Sequence, residues 1–189
     1  GATGKGAKKP TVRRGGGKGG KKAAGASGQL LGELLADRDG EVVRLSLMAA
    51  AYSGDASLKD RVQAVTVNSS AISGARLLFQ ARCGESSDDS QIANLFNEAL
   101  QDRATVHGVS GKMAEFTLDI PGGVLACQGL AIVKNTRHLP LLFTALNNGD
   151  IRVQAEAARA LGIIGAPDAV PALVQKVSNC SWPVLVEVA

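Results

Sequence analysis

Aromatic side chains are scarce: one tryptophan, one tyrosine and four phenylalanines among 189 residues. A hydrophobic content of 45% must therefore come mostly from alanine, leucine, valine and isoleucine. A core of that kind suits closely packed helices and offers little to a base-stacking nucleic-acid surface. Cys83, Cys127 and Cys180 are the three cysteines, with no C-x-x-C pair, and His107 and His138 are the two histidines. No closely spaced zinc ligand set can be assembled from them, and the thiols read as small buried apolar residues. An odd, unclustered number fits a reducing compartment, so the expected location is cytoplasmic. No run of 18 apolar residues is present, so no membrane-spanning helix is expected. Residues 1–28 lack the apolar stretch of a secretory signal, although a processed start before Gly1 would hide an earlier one.

Familiar catalytic patterns are missing as well. There is no H-E-x-x-H and no G-x-S-x-G around Ser110. A phosphate-binding loop needs G-x-x-x-x-G-K-[ST], but Lys5 is followed by Gly6 and Lys18 by Gly19. Glu85, Asp88 and Asp89 gather in one polar stretch without the ligand spacing of a calcium loop; they read as solvated charge and helix capping. No catalytic, cofactor-binding or metal residue is assigned, and the chain reads as a non-enzyme without a cofactor.

What is present divides by charge. The formal net charge of +4 conceals a tail, residues 1–28, with eight basic residues and no acidic one. Lys5, Lys8, Lys9, Arg13, Arg14, Lys18, Lys21 and Lys22 are spaced by glycine. The remainder holds 13 basic and 17 acidic residues, a net of −4. Such a tail has almost no apolar surface to offset ordering and is expected to be disordered. Its lysines and arginines are the candidate polyanion contacts, through charge and counterion release; a solvated linker is the plainer alternative.

The body repeats itself. In "DIRVQAEAARALGIIGAPDAVPALVQKV", residues 150–177, Asp150 is a helix N-cap, and Val153, Ala157, Ala160, Leu161 and Ile164 follow at helical spacing. Gly165 can end that helix in a left-handed conformation, and Pro167 blocks its continuation. Asp168 is expected to cap a second helix with the apolar stripe Val170, Leu173, Val174 and Val177, with Pro171 in its first turn. A shift of 31 residues brings "DIPGGVLACQGLAIVKNTRHLPLLFTAL", residues 119–146, into register. Asp119 then matches Asp150, Ala126 matches Ala157, Leu130 matches Leu161, and Pro140 matches Pro171. A fainter copy occupies residues 39–58, where Asp39, Val42, Ala49 and Gly54 parallel Asp150, Val153, Ala160 and Gly165. Another copy begins at Ser181 with Trp182 and Val184, and the array is expected to continue. Between these copies, Ile72, Ala75, Leu78, Phe79 and Arg82 predict a helix closed by Gly84. Ile92, Leu95, Phe96 and Leu100 predict its partner; residues 105–116 read as a loop entering a helix.

Helix pairs at a fixed interval predict an all-α solenoid of stacked antiparallel pairs over residues 29–189, clearest in 119–149 and 150–180. Asp150, Val153, Ala157, Ala160, Leu161, Gly162, Ile164, Gly165, Ala169, Val170, Pro171 and Leu173 resemble HEAT repeats, specifically the short phycobilisome-lyase type. Where that family commonly has arginine, this chain has Gln154 and Gly123. The family's iron-binding members carry adjacent His-Glu pairs, whereas His107 precedes Gly108 and His138 precedes Leu139. The resemblance implies a scaffold that binds a protein partner on a concave helical surface, with the tail on a polyanion. A nucleic-acid-associated protein held mainly through the tail is the alternative, and a chromophore lyase or isomerase subunit a lesser one. The oligomeric state is left open.

Overall fold

The computed structural model describes residues 20–66, 69–84, 88–101, 120–178 and 187. Among the described residues every regular element is helical, and the helices stack in pairs as an α-solenoid. Helix α1 (Gly20–Leu34) precedes four pairs: α2 (Gly40–Ser53) with α3 (Lys59–Ala64), α4 (Ser70–Arg82) with α5 (Asp89–Ala99), α6 (Gly122–Val133) with α7 (Leu139–Leu146), and α8 (Ile151–Ile164) with α9 (Val170–Val177). The first helices α2, α4, α6 and α8 pack side by side in chain order.

One turn design joins three of these pairs. Gly54, Lys134 and Gly165 close α2, α6 and α8 in the left-handed conformation, with φ of 62°, 52° and 68°. An extended residue follows (Asp55, Asn135 or Ala166), then a 3-10 turn (Ala56–Leu58, Thr136–His138 or Pro167–Ala169) that runs into the second helix. The Asp55 and Asn135 side chains accept from the Ser57 and Arg137 amides, and Pro167 needs no such partner for its own nitrogen. The last residue of each turn, Leu58, His138 or Ala169, is buried. The interval of 31 holds from Lys134 and Gly165 through both second helices.

Helix starts are less uniform. Asp39 accepts from Glu41 N at 2.9 Å and Asp150 from Arg152 N at 2.8 Å, as capping predicts. Ser69 does the same for α4, at 3.4 Å from Ile72 N. Asp119 lies outside the described residues; α6 starts at Gly122 behind Pro121, which makes no side-chain cap. Asp168 is not the cap of α9, because the 3-10 turn absorbs it and the helix begins after Ala169 without a side-chain cap bond. Helix α1 starts at Gly20, inside the 1–28 segment, where the Lys-Lys-Ala-Ala run at 21–24 has good helix propensity and leads into the Leu31 and Leu35 packing. Residues 1–19, 102–119 and 179–186 lie outside the described residues, and with them the readings of 105–116, His107, Cys180 and Trp182.

Two apolar clusters are built from these helices. Leu35, Leu47, Ala50, Leu58, Val62, Ile72, Leu78, Phe79 and Leu125 form one around α2, α3 and α4. Leu77, Ile92, Phe96, Leu130, Leu142, Leu146, Val153 and Leu161 belong to the other, around α5 to α8. Helices α4 and α6 contribute to both, so they are the seam between them. They touch through glycine. A Cβ on Gly74 would lie 2.1 Å from the Gly122 carbonyl oxygen, and one on Gly122 the same distance from that of Ser70. Seven residues along both helices, Gly129 meets the Leu77 backbone at 3.3 Å. The equal advance shows that α4 and α6 run parallel with backbones in contact.

Gly74→Ala is expected to destabilise the chain by about 2–3 kcal/mol, because the added methyl meets backbone that must move. Gly162, with open space around its Cβ position in the exposed part of α8, is the control; Gly162→Ala should stabilise by about 0.5–1 kcal/mol. Urea denaturation of the two variants beside the parent measures both.

Candidate interaction surfaces

Polar side chains tie neighbouring pairs together. Arg76, on α4, reaches the carbonyls of Val62, Gln63 and Val65 at the end of α3, the two longer bonds being 3.1 and 3.2 Å. Its guanidinium satisfies the last carbonyls of that helix; burial lowers its affinity for the proton, against the pull of the Glu98 charge. Glu98, on α5, accepts from the buried Ser73 hydroxyl at 2.9 Å. Asn148 donates to the Leu100 carbonyl at 3.4 Å, and Gln154 donates to the Asn148 carbonyl. Gln154 stands where the resembled family commonly has arginine, and it serves as an inter-pair polar link.

His138 occupies the buried end of a 3-10 turn where the other two turns have Leu58 and Ala169. Its Nε2 has no hydrogen-bond partner and lies 3.6 Å from an Asp89 carboxylate oxygen on α5. The other Asp89 oxygen is 3.5 Å from Arg137. His138 is therefore a repeat-interface residue. Asp88 at the N-cap position and Asp89 in the first turn of α5 are exposed, as expected of solvated charge at a helix start, and Asp89 also faces the following pair. Cys127 is buried and burial pushes its thiol well up, whereas Cys83 is half-buried with its sulfur 3.7 Å from the Gly54 carbonyl.

Of the candidate tail contacts, Lys21 and Lys22 belong to helix α1, while Lys5, Lys8, Lys9, Arg13, Arg14 and Lys18 lie outside the described residues. The expected apolar stripe of α9 is present. Val170, Val174 and Val177 are 55%, 63% and 43% exposed, and only Leu173 is half-buried. Their counterparts in α7, 31 residues earlier, are Leu139, Phe143 and Leu146, which pack in or against the core. The α7 positions are packed against α8 of the following pair, whereas residues 179–186, which follow α9, lie outside the described residues. Behind the stripe, a groove of about 240 Å³ runs between α7 and α9, lined by Phe143, Leu146, Asn147, Ala172, Gln175 and Lys176.

A second exposed row follows the ends of the first helices. Two residues before each left-handed residue stand Tyr52, Arg82, Ile132 and Ile163. Tyr52, Ile132 and Ile163 are 40%, 42% and 39% exposed, and Arg82 is exposed too. The Tyr52 hydroxyl is 3.3 Å from Gln128 Oε1 on α6, its ring centre is 5.6 Å from the Arg82 guanidinium, and Arg82 donates to the Tyr52 carbonyl at 3.0 Å. The signal for this row was the residue spacing, visible only once Gly84 and Lys134 were known to be left-handed.

Stacked helix pairs joined by one recurring turn define the class as a helical solenoid. Residues 124–189 match the family model for HEAT repeats, which supports that family for the region holding α6 to α9. A search of curated proteins finds no match to the chain. Among the described residues no helix is long and apolar enough to cross a membrane.

Asp150 supplies a pH test. The Arg152 side-chain hydrogen bond, then the backbone bonds and the guanidinium charge, hold its carboxyl below the usual carboxylate range against partial burial. A carboxyl lowered on folding stabilises at neutral pH and loses that contribution as pH falls through its folded value. Asp150→Ala should cost about 1 kcal/mol at pH 7, and less as the solution is taken below pH ~4. Denaturant midpoints of parent and variant across that range measure the difference.

Proposed function

We propose that the protein is a non-enzymatic HEAT-repeat scaffold that binds a protein partner on the helical surface carrying α7 and α9. Solenoids expose one face of every repeat along a continuous surface, and HEAT repeats commonly serve as protein-interaction scaffolds. The observation that carries the reading is the groove of about 240 Å³ between α7 and α9, where second helices of successive pairs lie side by side. Apolar Phe143, Leu146 and Ala172 beside polar Asn147, Gln175 and Lys176 give it the mixed composition of a partner-binding surface. The interval of 31 supports the short phycobilisome-lyase type of repeat. The basic tail is the second contact, with Lys5, Lys8, Lys9, Arg13, Arg14, Lys18, Lys21 and Lys22 on a polyanion; nucleic acid held through the tail remains the alternative.

Lys176→Glu, which reverses the charge on the groove wall, is expected to leave folding unchanged and to abolish retention of the protein partner in quantitative affinity capture. A partner set identical for parent and variant contradicts the proposed surface. Deleting residues 1–19 together with Lys21→Ala and Lys22→Ala, which removes all eight basic residues and leaves the length of α1 unchanged, should remove heparin and single-stranded RNA binding while protein capture persists. For the intact chain, log affinity for RNA should fall linearly with log salt, with a slope of several units. RNA binding that survives the deletion contradicts the tail assignment.

A further inference from the structure

The row Tyr52, Arg82, Ile132 and Ile163 differs from the α9 surface in chemistry. It runs along the stacking direction, one residue per pair, and Val133 widens it. Its charges are of one sign. Among the described residues no carboxylate lies within 4.0 Å of Arg82 or Lys134. Lys134 is also the sole described residue other than glycine with positive φ, at a position where Gly54, Gly84 and Gly165 stand in the other pairs. Left-handed backbone costs a residue with a Cβ about 1–2 kcal/mol, of which a cation at a helix C-terminus recovers only part. A lysine held there against its backbone preference is a pointer to function. Tyrosine and arginine, here locked by the Gln128 contact and by mutual stacking, are the side chains that most often anchor protein interfaces.

We propose that this edge docks a linear acidic segment of a protein partner, its apolar side chains against Tyr52, Ile132, Val133 and Ile163 and its carboxylates on Arg82 and Lys134. The row is narrow and follows the stacking direction, with a second residue only at Val133, which matches an extended chain better than a globular surface. The exposed isoleucines and Val133 match apolar side chains and not a phosphate backbone, so a protein segment is favoured over nucleic acid. The inference rests on the scaffold reading but assigns a different surface.

The test selects a random-peptide display library on the full chain. Enriched peptides should combine Asp or Glu with Leu, Ile, Val or Phe, and their binding should weaken with added salt. Arg82→Glu and Lys134→Glu should each weaken the best peptide by roughly tenfold or more, and Ile132→Ser with Ile163→Ser severalfold. Lys134→Gly removes the cation and relieves the backbone, so it should raise thermal stability and still weaken the peptide. Circular dichroism confirms folding of each variant. Peptides without acidic residues, an empty selection, or binding indifferent to these changes overturns the proposal. Peptides lost instead on Lys176→Glu would sink the edge assignment and leave the scaffold reading standing.

Discussion

The backbone contact between α4 and α6 is the constraint on which the rest depends. Gly74, Gly122 and Gly129 allow two helices to approach without side chains between them. That approach lets Leu77 project into the cluster of the later pairs and Leu125 into that of the earlier ones. A short second helix such as α7, eight residues long, is not stable alone. Its stability comes from the shared apolar surface, so any spacer inserted at the seam would separate the two clusters and weaken both. Alanine does at α8, through Ala157, Ala158 and Ala160, what glycine does at α6.

Repetition also makes the departures informative. Where the turn design calls for glycine, Lys134 takes the left-handed position and carries a charge to the edge. Where it calls for a buried apolar residue, His138 brings a ring nitrogen close to Asp89 of the preceding pair. In each case the other pairs supply the expectation, and the exception falls at an inter-pair contact or an exposed surface.

Much of the architecture was legible because its signals are local. Asp39, Asp150, Gly54 and Gly165 punctuate helices through their own backbone chemistry, and the interval of 31 carries the turn from one pair to the next. Ile72, Phe79, Ile92 and Phe96 announce the α4 and α5 pair by helical spacing alone. Asp168 misled because a 3-10 turn and a capped helix start share the same residue preferences. The start of α1 within the basic segment was missed because lysine and alanine favour a helix even where glycine density suggests none. The surfaces were least legible. Exposure depends on which neighbour covers a stripe, and no pattern within a single helix contains that information.

The seam couples the pairs: α4 and α6 contribute side chains to both apolar clusters, so the earlier and later pairs share one packed core. Native-state hydrogen exchange across a denaturant series tests that coupling most directly. The account predicts that the slowest amides of α4, α6 and α8 merge into one opening reaction with a common free energy and denaturant dependence. Separate openings, with α6 to α8 still protected at denaturant concentrations where α2 to α4 exchange freely, would contradict it.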